Sequence, residues 1–114
     1  MKPYRREQLS SLIQKKLGEL IIRHIEFSPG SLTTISEVEV SENFKKAIIW
    51  VSVIPGEAGE RALEILTRAR GLLQYELGEE VRVRILPRIE FALDKGAEHA
   101  ALIEKISLDK SDLS

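Results

Sequence analysis

The sequence predicts an α+β domain in which helices cover one face of a three-stranded sheet. First, its 114 residues are one domain's worth of chain, and 43% of them are apolar, which suffices for one hydrophobic core. Second, the pattern runs helix, strand, strand, helix, helix, strand and short helix along the chain. We expect residues 1–106 to form the domain and residues 107–114 to form a short polar tail.

The first helix is predicted over residues 4–24. Apolar residues recur there at three- and four-residue steps, which is typical of a helix with one buried face. Turn-forming residues at 28–31 end this helix. The predicted buried face consists of Leu9, Ile13, Leu17, Leu20, Ile21 and His24.

Two strands are predicted next, over residues 33–40 and 47–54, with a turn at 41–43. The second strand is apolar at almost every position, which indicates a central strand. Alternation puts one set of side chains against the helices and Trp50 on the other face, where we expect it to be partly covered. The helix-facing set is Ala47, Ile49, Val51 and Val53, and the opposite set is Ile48, Trp50, Ser52 and Ile54.

The second half of the chain is predicted to hold a broken helix and a third strand. Helical patterns cover residues 58–69 and 72–77, and Gly71 between them predicts a kink or break. A strand follows over residues 88–94, and a short helix over residues 96–106.

Several classes of protein and site are not expected. The chain has no Cys, so disulfides, thiolate metal sites and cysteine nucleophiles are excluded. It has neither a membrane-length apolar run nor a signal-peptide core, so we expect a cytoplasmic protein. It has no Gly-rich phosphate loop, and His24 and His99 stand apart from any metal or catalytic spacing. We therefore expect no catalytic residue, no metal and no cofactor.

The net charge of −1 argues at first against a nucleic-acid partner. By segment, however, the charge is +4 over residues 1–24, −4 over 25–60, +2 over 61–88 and −3 over 89–114. The two basic segments either form ordinary solvated faces or converge into one patch.

The basic residues supply the candidate RNA contacts. On the first helix, Arg5, Lys16 and Arg23 fall within about 20° of one another. The second basic segment uses only Arg, whose planar fork suits phosphate. A break at Gly71 would let a backbone approach and would expose helix N–H groups to an anion beside Arg68 and Arg70. The candidates are Arg5, Arg6, Lys15, Lys16, Arg23, Arg68, Arg70, Gly71, Arg82 and Arg84.

The order helix, strand, strand, helix, kink, helix, strand is that of the type II KH domain, an RNA-binding fold. Ordinary KH domains carry a Gly-x-x-Gly loop, and this chain has Ala69-Arg70-Gly71 in its place. That kink motif resembles the bacterial ribosome-binding factor A family. Further similar stretches are Val38-Glu39-Val40-Ser41, Ala47, Val51-Ser52-Val53, Gly71-Leu72-Leu73, Glu76-Leu77, Arg82-Val83-Arg84, Pro87, Ile89-Glu90-Phe91, Asp94 and Ile103-Glu104.

The resemblance implies a monomeric, non-enzymatic assembly factor. It would bind free, immature small (30S) ribosomal subunits through 16S rRNA, assist late maturation of that rRNA and matter most in the cold. A maturation GTPase would help to release it. Arg68, Arg70, Gly71 and the basic first helix would face the rRNA. The long charged tail of some family members has no counterpart here, so functions of that tail are not expected.

Two alternatives stay open at this point. The chain could be a KH domain that binds another RNA. It could also be a protein-interaction module, which the acidic stretch of residues 37–60 and the apolar face of Ile48, Trp50 and Ile54 favour.

Overall fold

The computed structural model describes residues 4–95, and its elements follow the predicted order. The His99 position, the predicted helix over residues 96–106 and the predicted tail lie outside the described residues. A short 3-10 turn over Gly56–Ala58 leads into the second helix. The elements are α1 (Arg6–His24), β1 (Leu32–Val40), β2 (Lys46–Ile54), α2 (Gly59–Glu80) and β3 (Arg88–Leu93).

The three strands form one sheet in the order β1-β2-β3, which confirms β2 as the central strand. β1 and β2 are antiparallel and are joined by a short loop, whereas β2 and β3 are parallel. Parallel neighbours need a crossover connection because the chain must return to the same end of the sheet. α2 is that connection, so its position is set by the pairing of β2 with β3.

The core lies between the helices and one face of the sheet. As predicted, Ala47, Ile49 and Val51 of β2 point into it, and each is fully buried. Alternation along the strand puts every second side chain on this face. The helices contribute Leu9, Ile13, Leu17, Leu20, Ile21, Leu66, Leu73 and Leu77 to the same cluster.

The structure corrects the prediction for Trp50. Its side chain is only 1% exposed, so it is buried, not partly covered, and is closed to a protein partner. Ile48 on the same face is half-buried, and Ile54 remains 64% exposed. The alternation of a strand identifies the side of the sheet on which a residue lies, but it does not identify what covers that side.

The structure also corrects the predicted break at Gly71. α2 is one continuous helix of 22 residues, and Gly71 lies inside it. A helical Gly costs only about 1 kcal/mol relative to Ala. Burying a Leu side chain contributes about 1.5–3 kcal/mol, and Leu66, Leu73 and Leu77 lie on both sides of Gly71 on the core face. Packing therefore outweighs the local defect.

Gln74 of α2 fixes the start of β3. Its Nε2 donates a hydrogen bond to the carbonyl oxygen of Pro87 at 3.0 Å, and its Oε1 accepts one from the N–H of Ile89 at 2.9 Å. One side chain thus pairs two backbone groups on either side of Arg88. This clamp ties the strand that begins there to the helix that precedes it.

We expect Gln74→Ala to lower the free energy of unfolding by about 1–3 kcal/mol, because it leaves a part-buried backbone N–H and carbonyl without their partner. Urea denaturation followed by circular dichroism measures this change. Thr67→Ala, at an exposed position of the same helix, is the matched control and should stay within about 0.5 kcal/mol of wild type. Equal stabilities for the two variants would contradict the clamp.

Candidate nucleic-acid interface

The outer side of α2 presents Arg68, Gly71, Leu72 and Tyr75, a set that we call the Gly71 face. At 100° per residue, these four positions fall within about 100° of one another, opposite the leucines of the core. All four are exposed, Leu72 by 48% and Tyr75 by 65%. The face therefore combines a cation, a bare stretch of helix backbone and an aromatic ring.

Arg68 and Arg70 are not brought together around Gly71. They are two residues apart in a continuous helix, so their side chains leave it about 160° apart. Arg68 is exposed and Arg70 is half-buried, as this geometry requires. The uninterrupted helix also has no free N–H groups at Gly71. The anion site expected from a helix break is therefore not formed in this arrangement, and Arg68 alone belongs to the Gly71 face.

Gly71 itself is bare on the outside. A Cβ built on it would meet no atom within 4 Å. Its backbone has an ordinary helical conformation, since Gly30 is the glycine with positive φ among residues 4–95. Neither internal packing nor backbone strain requires Gly at position 71. Its missing side chain leaves room on the outer surface of the helix.

A shallow groove of about 320 Å³ runs beside Arg68, between α2 and the end of α1. It brings the chain that leaves α1 close to Ala69 of the Ala-x-Gly motif. The groove carries both signs of charge, since Glu26 lies among the basic residues. Its lining is His24, Ile25, Glu26, Arg61, Ile65, Arg68 and Ala69.

Two candidates on the first helix are paired inside the protein. Arg6 donates a hydrogen bond through Nη1 to the carbonyl oxygen of Val40 at 3.5 Å. Arg23 places Nη1 3.5 Å from Oε2 of Glu80, which links α1 to α2. Each is therefore less available to an outside phosphate than the sequence suggested.

His24 is not buried with the other residues of the predicted face of the first helix, but lies at the edge of that face. Its Nε2 lies 3.7 Å from Oε1 of Glu76, and the side chain is 27% exposed. Together with the pair between Arg23 and Glu80, this contact ties the end of α1 to the last turns of α2. No group of three or more His, Asp or Glu side chains within residues 4–95 could hold a metal ion.

The other basic candidates differ in exposure. Arg5 is the exposed residue that precedes α1, and Lys16 is half-buried. A second set is exposed, and within residues 4–95 its side chains make no hydrogen bond or ion pair. This unpaired set consists of Lys15, Arg68, Arg82 and Arg84.

Tyr75 was missed by the sequence reasoning. The signal was present, because Tyr75 stands four residues after Gly71 and therefore shares its helix face. The helical pattern of residues 72–77 does not distinguish Tyr75 from its neighbours, whereas the structure leaves it more exposed than Leu72. Its hydroxyl makes no hydrogen bond within the described residues.

A sequence model described as ribosome-binding factor A matches residues 5–107 of this chain. The chain belongs to the ribosome-binding factor A family. The ribosome-binding factor A of Coprothermobacter proteolyticus is 31% identical over 98% of this chain and 83% of its own length. That of Thioalkalivibrio sulfidiphilus is 36% identical over 89% of this chain and 82% of its own length.

Solved structures of the family share the fold. The crystal structure of ribosome-binding factor A from Thermus thermophilus superposes with a TM-score of 0.69 at 30% identity and covers 79% of this chain and 97% of that one. A homology model of the Thermus thermophilus factor, fitted into the cryo-electron-microscopy map of its complex with the 30S subunit, gives a TM-score of 0.63 at 32% identity. It covers 75% of this chain and 90% of that one. The expected type II KH-like fold is thereby confirmed.

No helix within the described part of the chain is both long enough and apolar enough to cross a membrane.

Gly71→Ala should raise the free energy of unfolding by about 0.5–1 kcal/mol, because Ala is the better helix former and its methyl group meets nothing. Gly18→Ala in α1 is the matched control, since a Cβ there also has no atom within 4 Å. Urea denaturation of both variants measures the effect. A destabilised Gly71→Ala beside a stabilised Gly18→Ala would contradict the open, regular helix described at position 71.

Proposed function

We propose that this protein is a non-catalytic assembly factor that binds free, immature small (30S) ribosomal subunits through 16S rRNA. It assists late maturation of that rRNA, and its loss is felt most in the cold. The observation that carries the proposal is membership of the ribosome-binding factor A family over residues 5–107. The Thermus thermophilus factor fitted into the map of a complex with the 30S subunit supports it.

The distribution of charge supports an RNA partner despite the net charge of −1. The unpaired set of Lys15, Arg68, Arg82 and Arg84 is free to neutralise phosphates, and such contacts supply much of the affinity of proteins for nucleic acids. By contrast, the pairs made by Arg23 and Arg61 with Glu80 and Glu64 cancel charge locally. The RNA contact is thus assigned to a few unpaired cations.

The proposal includes the expected partners. The protein acts in the cytoplasm as a monomer on the small subunit, and a maturation GTPase helps to release it. The alternative of a protein-interaction module loses one of its two supports, because Trp50 is buried and cannot form an apolar contact surface with Ile54. A KH-like domain for another RNA remains the alternative to be tested.

Sedimentation of cell extracts through sucrose gradients tests the partner. We expect the protein to migrate with free 30S subunits at low salt and to leave them as salt rises, because binding releases counterions from the RNA. Complete ribosomes should carry little of it. Single-stranded RNA of unrelated sequence, at a concentration equal to that of the subunits, should not displace the protein. Displacement at that concentration would favour the alternative KH-like function, and migration at the top of the gradient at every salt concentration would refute the proposed partner.

Arg68→Gln tests the assigned contact. If Arg68 pairs with a phosphate, the slope of log affinity for 30S subunits against log salt should fall by about one unit. Arg23→Gln is the control, because Arg23 already faces Glu80 and should change the slope by much less. Both residues are exposed, so neither variant should unfold the protein. An unchanged slope for Arg68→Gln would place the RNA away from the Gly71 face.

A further inference from the structure

The aromatic ring of Tyr75 does not contribute to the packing of the core. Its side chain is 65% exposed, and it belongs neither to the core cluster nor to the apolar residues packed against it. Burying an aromatic ring is favourable, so an exposed ring on a regular helix stabilises the fold little. Its position beside Gly71 leaves the ring accessible to a ligand.

The direction of helical side chains determines what surrounds the ring. Side chains on a helix lean toward its N-terminus, so Tyr75 leans over the turn that holds Gly71 and Leu72. Gly71 contributes no side chain, and the space where its Cβ would stand is open. Leu72 borders the ring on the other side of the face. One flank of the ring is therefore bare.

Arg68 places a positive charge on the same helix face, on the N-terminal side of Tyr75. It lies two turns before Tyr75 on the same face, about 10 Å along the helix axis. Its side chain is exposed and makes no hydrogen bond or ion pair within residues 4–95. Two acids lie on the same stripe: Glu79 one turn after Tyr75, and Glu64 one turn before Arg68, where it is paired with Arg61. An anionic ligand that meets the ring is thus drawn toward Arg68.

These features select a nucleobase over other ligands. Leu72 and Tyr75 are the large exposed apolar residues of the Gly71 face, and they are far too few for a protein interface, which needs about 800 Å² per partner. The face is the convex outside of a helix, whereas small-molecule sites are concave. Unpaired bases stack on exposed aromatic rings, and here a cation two turns away on the same helix face is within reach of a neighbouring phosphate.

We propose that Tyr75 stacks on an unpaired base of the bound RNA while Arg68 holds a neighbouring phosphate. Gly71 leaves the helix bare so that the base can slide against the ring. This inference rests on the proposed function, because it assumes an RNA partner, and it adds a specific residue and the chemical class of its contact.

The test measures the affinity of the full-length protein for purified 30S subunits. Tyr75→Ala should weaken binding by about 5- to 150-fold, the range for loss of one stacked base. Tyr75→Phe should bind like wild type, because it keeps the ring and loses only the hydroxyl. Tyr4→Ala is the matched control, since Tyr4 is the chain's other tyrosine, is 38% exposed and lies just before α1, away from the Gly71 face.

A second probe separates a base from a ribosomal protein. Wild type should bind a ten-nucleotide oligoadenylate more tightly than a ribose-phosphate decamer without bases. Tyr75→Ala should bind the two oligomers equally, because the ring that distinguishes them is gone. If Tyr75→Ala loses subunit affinity while wild type does not distinguish the two oligomers, the ring contacts a protein of the subunit and the proposal is overturned.

The remaining outcomes are distinct from failure of the proposed function. Wild-type affinity for 30S subunits in Tyr75→Ala, with binding still sensitive to salt, would overturn the stacking contact and leave the assembly-factor proposal standing. If Tyr75→Phe loses as much affinity for 30S subunits as Tyr75→Ala does, the stacking contact is also overturned, because the hydroxyl group would then make the contact. If wild type fails to bind 30S subunits at all, the proposed function itself fails.

Discussion

The parallel pairing of β2 with β3 is the constraint on which the rest of the structure depends. It obliges the chain to cross from one end of the sheet to the other, and α2 makes that crossing with 22 residues. A helix of this length packed along a sheet must bury one side and expose the other. The core takes Leu66, Leu73 and Leu77. The opposite side is left to solvent along its whole length, and the Gly71 face lies there.

The same constraint explains why several polar contacts converge on α2. Gln74 holds the backbone where β3 begins, and Glu76 and Glu80 face the end of α1. These contacts fix the helix on its inner side and at its C-terminal turns. They leave the middle of its outer side uninvolved in folding. Substitutions on this outer side, for example at Arg68 or Tyr75, therefore change the free energy of unfolding little. Side chains that bind a ligand can be placed there without a large loss of stability.

Much of the fold follows from the sequence, because hydrophobic periodicity reports directly on burial. The first helix, all three strands and the central place of β2 come from such patterns. The predicted break at Gly71 does not form, because a local propensity of about 1 kcal/mol is weaker than the packing of leucines on both sides of it. The burial of Trp50 could not be predicted, because the alternation of side chains along a strand gives no information about what covers each face of the sheet. The pair between Arg23 and Glu80 joins residues 57 positions apart, a distance over which a sequence pattern gives no signal.

The sequence predicts which types of residue form the candidate site, but not how these residues are arranged. Counting charges by segment identifies where Arg and Lys are abundant, yet it cannot show which of them an acid already holds. The structure divides them. Arg6 and Arg23 contact groups of the protein, whereas Arg68, Arg82 and Arg84 are exposed and have no partner among residues 4–95. For a protein with a net charge of −1, the division between paired and unpaired basic residues bears more on phosphate binding than the net charge does. Each cation that neutralises a phosphate adds its own released counterions to the affinity, so a contact made by only a few free cations loses a large share of its electrostatic affinity with each cation removed.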